Sequence, residues 1–353
     1  MRTIVIMYHK FCQDGFCSAA IAHLYILQLS KFSNKQFRII YNPVEAGHVD
    51  EAVIELIAKF PNPKKVKVLS FDLSFSYSAA VNLFRHFSDA QVLDHHKTTN
   101  EECFGNTPEG VSDREHCQNL QTFSKQLHFD NARSSAALAF QFFFTDGKMP
   151  KLVEYVEDRD LWTWKLPNSK AISAGIYRHL NMQYVTPDKY REDSPMSMSE
   201  NITFESTDER IPVFDKWIEW MMTDSWVDQA KSDGEIVLDV QNKIMFPLYK
   251  MGKAYEIDGL KVFAVNSGSF ISELGNAICE WCDDDGSSAY NYALIWRYDA
   301  PKDICYVSMR SLQDNDVEAV AKKNGGGGHK NAAGFEMSLT NLFRVFSSGT
   351  WKT

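Results

Sequence analysis

Val92-Leu93-Asp94-His95-His96-Lys97 is the stretch that decides how this chain reads. An apolar run from Ala90 to Leu93 stops abruptly at a carboxylate and two imidazoles. The pattern describes a buried strand that delivers an acid and neutral imidazoles to its C-terminal edge. Carboxylate and imidazole together suit Mn²⁺, Zn²⁺ or Fe²⁺. Open α/β sheets bind their ligands at the carboxyl ends of strands. The competing explanation is a strand running into a polar loop, with histidine there only as a partly buried polar residue. The rest of the N-terminal half weighs against it.

Working outward, residues 3–8 run apolar and read as a first strand. His9-Lys10-Phe11-Cys12-Gln13-Asp14-Gly15 then turns the chain into a helix from Ser18 to Leu29. Gly15 suits a tight turn, the helix N-terminus favours anions, and Asp14 is either a site residue or a simple N-cap. Strands at Phe37–Tyr41 and Val66–Phe71 alternate with helices over Asp50–Phe60 and Ser74–Phe87, and Pro61 and Pro63 stop the former. Alternating strand and helix predicts a parallel sheet with helices on both faces. Asp14, Asp72 and Asp94 each follow one of its strands. Three acids at corresponding strand ends point to one metal site.

Downstream, residues 100–130 lack a clear period and read as a lid or a surface excursion. Ser134–Phe144 is a helix whose aromatic face reads as core, and Arg133 at its start either meets an anion or is simply solvated. Glu157-Asp158-Arg159-Asp160-Leu161-Trp162 lies between apolar segments, so Asp158 or Asp160 could complete the metal site. Helix is expected over 171–180 and 211–230, and a polar loop over 185–207. After a connection at 231–255 come strands at Leu260–Val265, Tyr290–Tyr298 and Ile304–Met309, with helices at Ile271–Trp281 and Val317–Lys323. Gly325-Gly326-Gly327-Gly328-His329 follows. Four glycines cost entropy on ordering and make sense where backbone N–H groups approach a phosphate. The alternative is a flexible linker. His329 adds a donor or proton carrier, and Arg310 reads as free to fork onto a phosphate.

The 353 residues suffice for two domains, and 44% hydrophobic with 24% charged residues describes a soluble globular protein. No apolar run approaches a membrane span, and the apolar start is too short for a signal peptide. Seven cysteines, with Cys279 and Cys282 as the one Cys-x-x-Cys pair, read as reduced thiols of a cytoplasmic protein. A net charge of −9 argues against holding long nucleic acid by its phosphates, yet allows a short anionic substrate beside bound metal.

In this order the motifs resemble the DHH phosphoesterases. His9 to Phe16, Asp72, Asp94-His95-His96, Asp158-Arg159-Asp160-Leu161-Trp162 and Gly326 to Gly334 (Gly-Gly-Gly-His-Lys-Asn-Ala-Ala-Gly) match the family's motifs from residue 4 to about 340. The likeness is greatest to the branch with the bacterial nanoRNases. One departure is that the first motif has Asp14 alone where many relatives have two carboxylates. The resemblance implies an α/β fold: a doubly wound parallel-sheet DHH domain at 1–230 with a helical insert at 100–145, a linker at 231–255, and a smaller α/β substrate-binding domain at 256–353. It implies two Mn²⁺ ions, with Mg²⁺ or Co²⁺ as substitutes, on His9, Asp14, Asp72, His95 and Asp158, with Asp72 bridging. Asp94 would orient a neighbouring histidine, His96 would contact the scissile phosphate, and His95 would serve the chemistry as a ligand. Arg310, Gly326, Gly327, Gly328, His329 and Asn266, helped by Ser267, would hold substrate. Asp160, Ser18 and Arg133 are further candidates, and Trp162 either stacks on a base or packs in the core. The expected activity is hydrolysis of short oligonucleotides to 5′-mononucleotides by metal-activated water, with no long nucleic acid or membrane as partner and room for a homodimer. The alternatives are hydrolysis of a linear or cyclic dinucleotide or 3′-phosphoadenosine 5′-phosphate, and a catalytically weak nucleotide sensor.

Overall fold

The computed structural model describes residues 1–33, 35–193, 201–281, 288–312 and 315–351, apart from the side chains of residues 191–193 and of His329. The chain divides into two compact units, Met1–Leu238 and Asp239–Thr353.

The first unit alternates strand and helix as expected: β1 (Arg2–His9), α1 (Gln13–Ser33), β2 (Phe37–Val44), α2 (Val49–Lys59), β3 (Val66–Phe71), α3 (Tyr77–His86) and β4 (Ala90–Asp94). It continues with α4 (Lys97–Phe104), α5 (Asp113–Gln126), β5 (Leu127–Phe129), α6 (Ser135–Phe143), α7 (Lys151–Asp160) and α8 (Ser169–His179). Then come β6 (Tyr184–Val185), α9 (Pro187–Asp193), β7 (Ile202–Ser206), β8 (Ile211–Pro212), α10 (Asp215–Met222) and α11 (Val227–Met251), whose residues from Asp239 on belong to the second unit. Six strands form one sheet in the order β5-β4-β3-β1-β2-β7, and every pairing is parallel.

The continuous apolar run of β1 follows from burial on both sides. Ile4, Ile6 and Tyr8 pack with α1, α6 and α7 residues such as Ile21, Ala136 and Val156. Val5 and Met7 pack with Val53, Leu83 and Phe123 of α2, α3 and α5. Each such fully buried aliphatic contributes about 1.5–3 kcal/mol, so both layers are anchored by one strand.

Three expectations need correction. Residues 100–130 are neither lid nor excursion: α5 covers the sheet and β5 extends it beside β4. The helical stripe of α5 escaped notice because two of its buried positions are polar. Asn119 Nδ2 donates to Tyr77 Oη at 2.8 Å, and His116 Nδ1 lies 3.3 Å from the same hydroxyl. The stretch 185–207 is not all loop. Its Ile202–Ser206 is edge strand β7, tied to β2 by a two-pronged pair in which Arg38 Nε and Nη2 donate to Glu205 at 2.6 and 2.7 Å; residues 194–200 lie outside the described residues. The helix expected over 211–230 is broken at Thr223, where Trp226 stacks on Trp220 with centroids 4.6 Å apart.

The second unit carries a sheet ordered β13-β14-β12-β11-β10-β9. Its strands are β9 (Lys253–Ile257), β10 (Leu260–Asn266), β11 (Tyr292–Asp299), β12 (Ile304–Ser311), β13 (Gly327–His329) and β14 (Ala332–Met337), and its helices α12 (Ile271–Cys279), α13 (Val317–Lys323) and α14 (Leu339–Ser348). Only β10 and β11 pair in parallel. Most of 231–255, expected as a linker, is helix α11. No described helix is long and apolar enough to cross a membrane.

Candidate metal centre

Strands β4, β3 and β1 are neighbours, with Tyr8 opposite Phe71 and Phe71 opposite Leu93. The next residues, His9, Asp72 and Asp94, therefore emerge in a row at the C-terminal edge. Asp72 adopts φ 57°, a left-handed conformation that costs a non-glycine residue about 1–3 kcal/mol and clusters at functional sites. This places its buried carboxylate between two imidazoles. Oδ2 lies 3.3 Å from His9 Nδ1, and Oδ1 lies 3.3 Å from His95 Nε2.

Asp14 comes from the first turn of α1. Its carboxylate does not cap α1; it accepts from the N-terminus of another helix, α6, through Ser135 N–H at 2.7 Å and Ala136 N–H at 2.9 Å. Nothing in the sequence signalled that pairing, which spans more than a hundred residues. Asp14 Oδ2 is also 3.9 Å from His95 Nε2. Gly15 has a different reason from a tight turn: a Cβ there would meet His9 O at 2.7 Å and His9 Cβ at 2.9 Å. It lets α1 press against the residue that carries the first imidazole.

Of the two acids in the fourth motif, Asp160 is the one that lies beside His95. Its Oδ2 lies 3.4 Å from His95 Nε2. Asp158, the residue expected as ligand, points into its own loop instead, accepting from Thr163 Oγ1 at 2.5 Å and from the Lys165 and Leu166 N–H groups at 2.8 and 3.2 Å. In an α-helix, positions two apart face different ways, and here the earlier one closes the helix end.

Ligand atoms of Asp14, His95 and Asp160, of Asp72, His95 and His96, and of His9, Cys12 and Asp72 fall within 4.8 Å of one another in each group. The electrostatics show what this crowding costs. Burial raises the Asp14 pKa well above the carboxylate range, and Asp160 and Asp72 add to it. Burial also pushes Asp160 up to about 6, partly offset by His95. Burial opposes charge on Asp72 too, but the facing His9 and His95 imidazoles win and hold its pKa low. For His95 burial is again outweighed, by Asp72, Asp160 and Asp14, and its pKa rises to about 10. The Oδ2 atoms of Asp72 and Asp160 are buried with no hydrogen-bond partner. A buried set of carboxylate and imidazole donors, with carboxylates crowded together and two oxygens making no hydrogen bond, fits divalent metal.

Asp94 is fully buried and holds His96, whose Nδ1 is 2.6 Å from Asp94 Oδ1. Two further candidates are occupied. Ser18 Oγ donates to the Asp14 carbonyl at 2.8 Å within the helix. Arg133 grips Glu157, with Nε donating at 2.6 Å, and so is not available to an anion in this arrangement. Trp162 is half-buried and packs edge-on against Trp164, centroids 4.8 Å apart.

In the second unit, Arg310 is not free. It donates to Met309 O at 2.8 Å and to Ser272 Oγ at 3.0 Å, and Gly275 makes room for its stem. Asn266 Nδ2 donates to Trp296 O at 3.1 Å, and Ser267 Oγ to Ser269 O at 2.9 Å. The glycine run is not a linker: it closes a helix and enters a strand. Gly325 (φ 81°) ends α13: its N–H and that of Gly326 bond to the Lys322 and Ala321 carbonyls, a Schellman closure. Gly326 to His329 then lead into and form β13, paired with β14. A Cβ at Gly326 would run into Gly334 and Phe335, and Gly328 sits at φ 144° against Ala332 and Ala333. A Cβ at Gly327 would meet nothing within 4 Å. The His329 side chain lies outside the described residues.

No family model matches the chain. An uncharacterized protein, R106, of Acanthamoeba polyphaga mimivirus is 26% identical over 337 residues, 95% of this chain and 67% of that one. Among solved structures, a pGpG-specific phosphodiesterase, PggH, from Vibrio cholerae is similar at TM-score 0.41 and 10% identity, covering 98% of this chain and 96% of that one. CDC45 from Entamoeba histolytica is similar at TM-score 0.40 and 10% identity, covering 99% and 94%. At these scores the likeness decides nothing about the site, whose chemistry follows from its own residues.

Proposed function

We propose that this chain is a metal-dependent phosphodiesterase of the DHH type that hydrolyses short oligonucleotides or small nucleotides. The observation that carries the reading is the Asp72 carboxylate, strained and buried, with one oxygen 3.3 Å from His9 and the other 3.3 Å from His95. His9, Asp72, His95, Asp14 and Asp160 would hold a pair of divalent ions, Mn²⁺ being the first choice for this donor set. Metal bound there would supply water activation near neutral pH and offset negative charge on the phosphate oxygens. The protein's own groups set the stage. The α6 N–H groups fix the Asp14 carboxylate, and Asp94 fixes the His96 ring, which would contact a phosphate oxygen. In the second unit, Gly327 is the glycine of the run that neither a close approach nor a positive φ demands, and it supports backbone approach by a substrate phosphate.

A net charge of −9 favours a short substrate over a long strand. The test is Mn²⁺-dependent hydrolysis of end-labelled RNA of two, three, five and twenty-four nucleotides, beside a His95→Ala control. Fast loss of the short pieces to 5′-mononucleotides, absent in the control, supports the short-oligonucleotide reading. Equal action on the longest RNA contradicts the charge argument. Turnover confined to cyclic dinucleotides or 3′-phosphoadenosine 5′-phosphate would move the substrate to that class, and no turnover of any would leave a nucleotide sensor.

A further inference from the structure

The turn between β1 and α1 holds a thiol where the acidic cluster has a gap. Cys12 is half-buried, and its Sγ falls with His9 nitrogen and Asp72 oxygen in a group whose ligand atoms are within 4.8 Å of one another. The neighbouring Gln13 is engaged elsewhere: its Oε1 accepts from Arg159 Nη1 at 3.0 Å. Phe11, in the left-handed region at φ 63° and largely exposed, shapes the turn, with Lys10 Nζ 5.0 Å from its ring centroid. Gly15, with no room for a Cβ against His9, pins the same turn from the helix side. The second independent observation is Asp72 Oδ2, the oxygen facing His9, which is buried without a hydrogen-bond partner.

We infer that Cys12 is a metal ligand, and that with His9 and Asp72 it makes a thiolate-containing subsite beside the all-oxygen-and-imidazole subsite of Asp14, Asp72, His95 and Asp160. The inference rests on the metal-centre reading above and assigns the two subsites different chemistry. Thiolate and imidazole select borderline and soft ions such as Zn²⁺, Co²⁺ and Fe²⁺ over Mg²⁺, whereas carboxylates also suit Mn²⁺ and Mg²⁺. Coordination forms the sulfur–metal bond, breaks S–H and releases that proton to solvent. The centre is therefore expected to be heterogeneous, one ion held by sulfur and the other not.

The test is Co²⁺ titration of metal-free full-length protein followed by absorption, in wild type, Cys12→Ser and Cys12→Asp. Wild type should bind two equivalents, one of them raising a near-ultraviolet sulfur-to-Co²⁺ charge-transfer band. Cys12→Ser should lose that band, keep the visible Co²⁺ bands of the other subsite, and bind one equivalent at least about tenfold more weakly. Cys12→Asp should restore two equivalents without the band. An unchanged band in Cys12→Ser, or two equivalents bound by wild type with no such band, would overturn the thiolate ligand and leave the metal centre standing. Failure of wild type to bind any Co²⁺ would overturn the metal centre itself.

Discussion

Asp158 and Asp160 are two residues apart and should behave as opposites. Asp158 is buried and accepts from Thr163, Lys165 and Leu166. Burial works against its charge, but these hydrogen bonds win and lower its pKa. Asp158→Ala strands at least three donors at about 1 kcal/mol each, so the loss is about 3 kcal/mol. For a unit of this size that lowers Tm by roughly 6–12 °C. Divalent-ion affinity should change little, because the carboxylate faces away from His95. Asp160→Ala removes a like-charged neighbour of Asp14 and Asp72, so metal-free Tm should hold or rise. Its cost falls on metal binding, at least about tenfold in affinity. Differential scanning calorimetry of metal-free protein and isothermal titration with Mn²⁺ measure both quantities. Asp158→Ala losing metal with Tm intact, or Asp160→Ala unfolding with metal affinity intact, would refute the assignment.

Gly15→Ala forces a methyl onto the His9 backbone, an overpacking cost of about 1–3 kcal/mol; urea denaturation should show that loss together with weaker metal binding. Gly326→Ala should destabilise the second unit, since its Cβ has no room, whereas Gly327→Ala should keep the wild-type Tm and raise KM with little change in kcat. In metal-free protein, burial opposes charge on His96 but Asp94 wins, and its pKa rises from 6.5 to about 9. A pKa raised on folding stabilises fully below the unfolded value and is lost as pH climbs through the folded one. That contribution, at most about 3 kcal/mol, should fade between pH 6.5 and 9, and Asp94→Asn should flatten the fall in denaturant midpoints across that window.

The sheet was legible because its central strands are buried on both faces and so appear as apolar runs, as at Ile4–Tyr8. Edge strands β5 and β7 were not, being three and five residues long with one side unpaired. His9, Asp72 and His95 were readable because a strand end fixes where the next side chain goes. Asp160 was harder than Asp158 to choose because the helix end at Leu161 determines which carboxylate faces inward. The docking of Asp14 onto α6 is purely tertiary. Arg310 looked free because no local pattern announces Ser272 or the room made by Gly275. The glycine run suggested a phosphate nest, yet Gly325, Gly326 and Gly328 are each explained by a helix end, a close approach or a positive φ.

The most direct test of the central claim is turnover of a labelled RNA dinucleotide by one preparation in three states: as purified, stripped with chelator, and stripped then resupplied with Mn²⁺, beside Asp72→Asn throughout. The account predicts cleavage that disappears with the chelator, returns with Mn²⁺ and is absent in Asp72→Asn in every state. Cleavage that survives complete metal removal, or an Asp72→Asn variant as active as wild type, would contradict it.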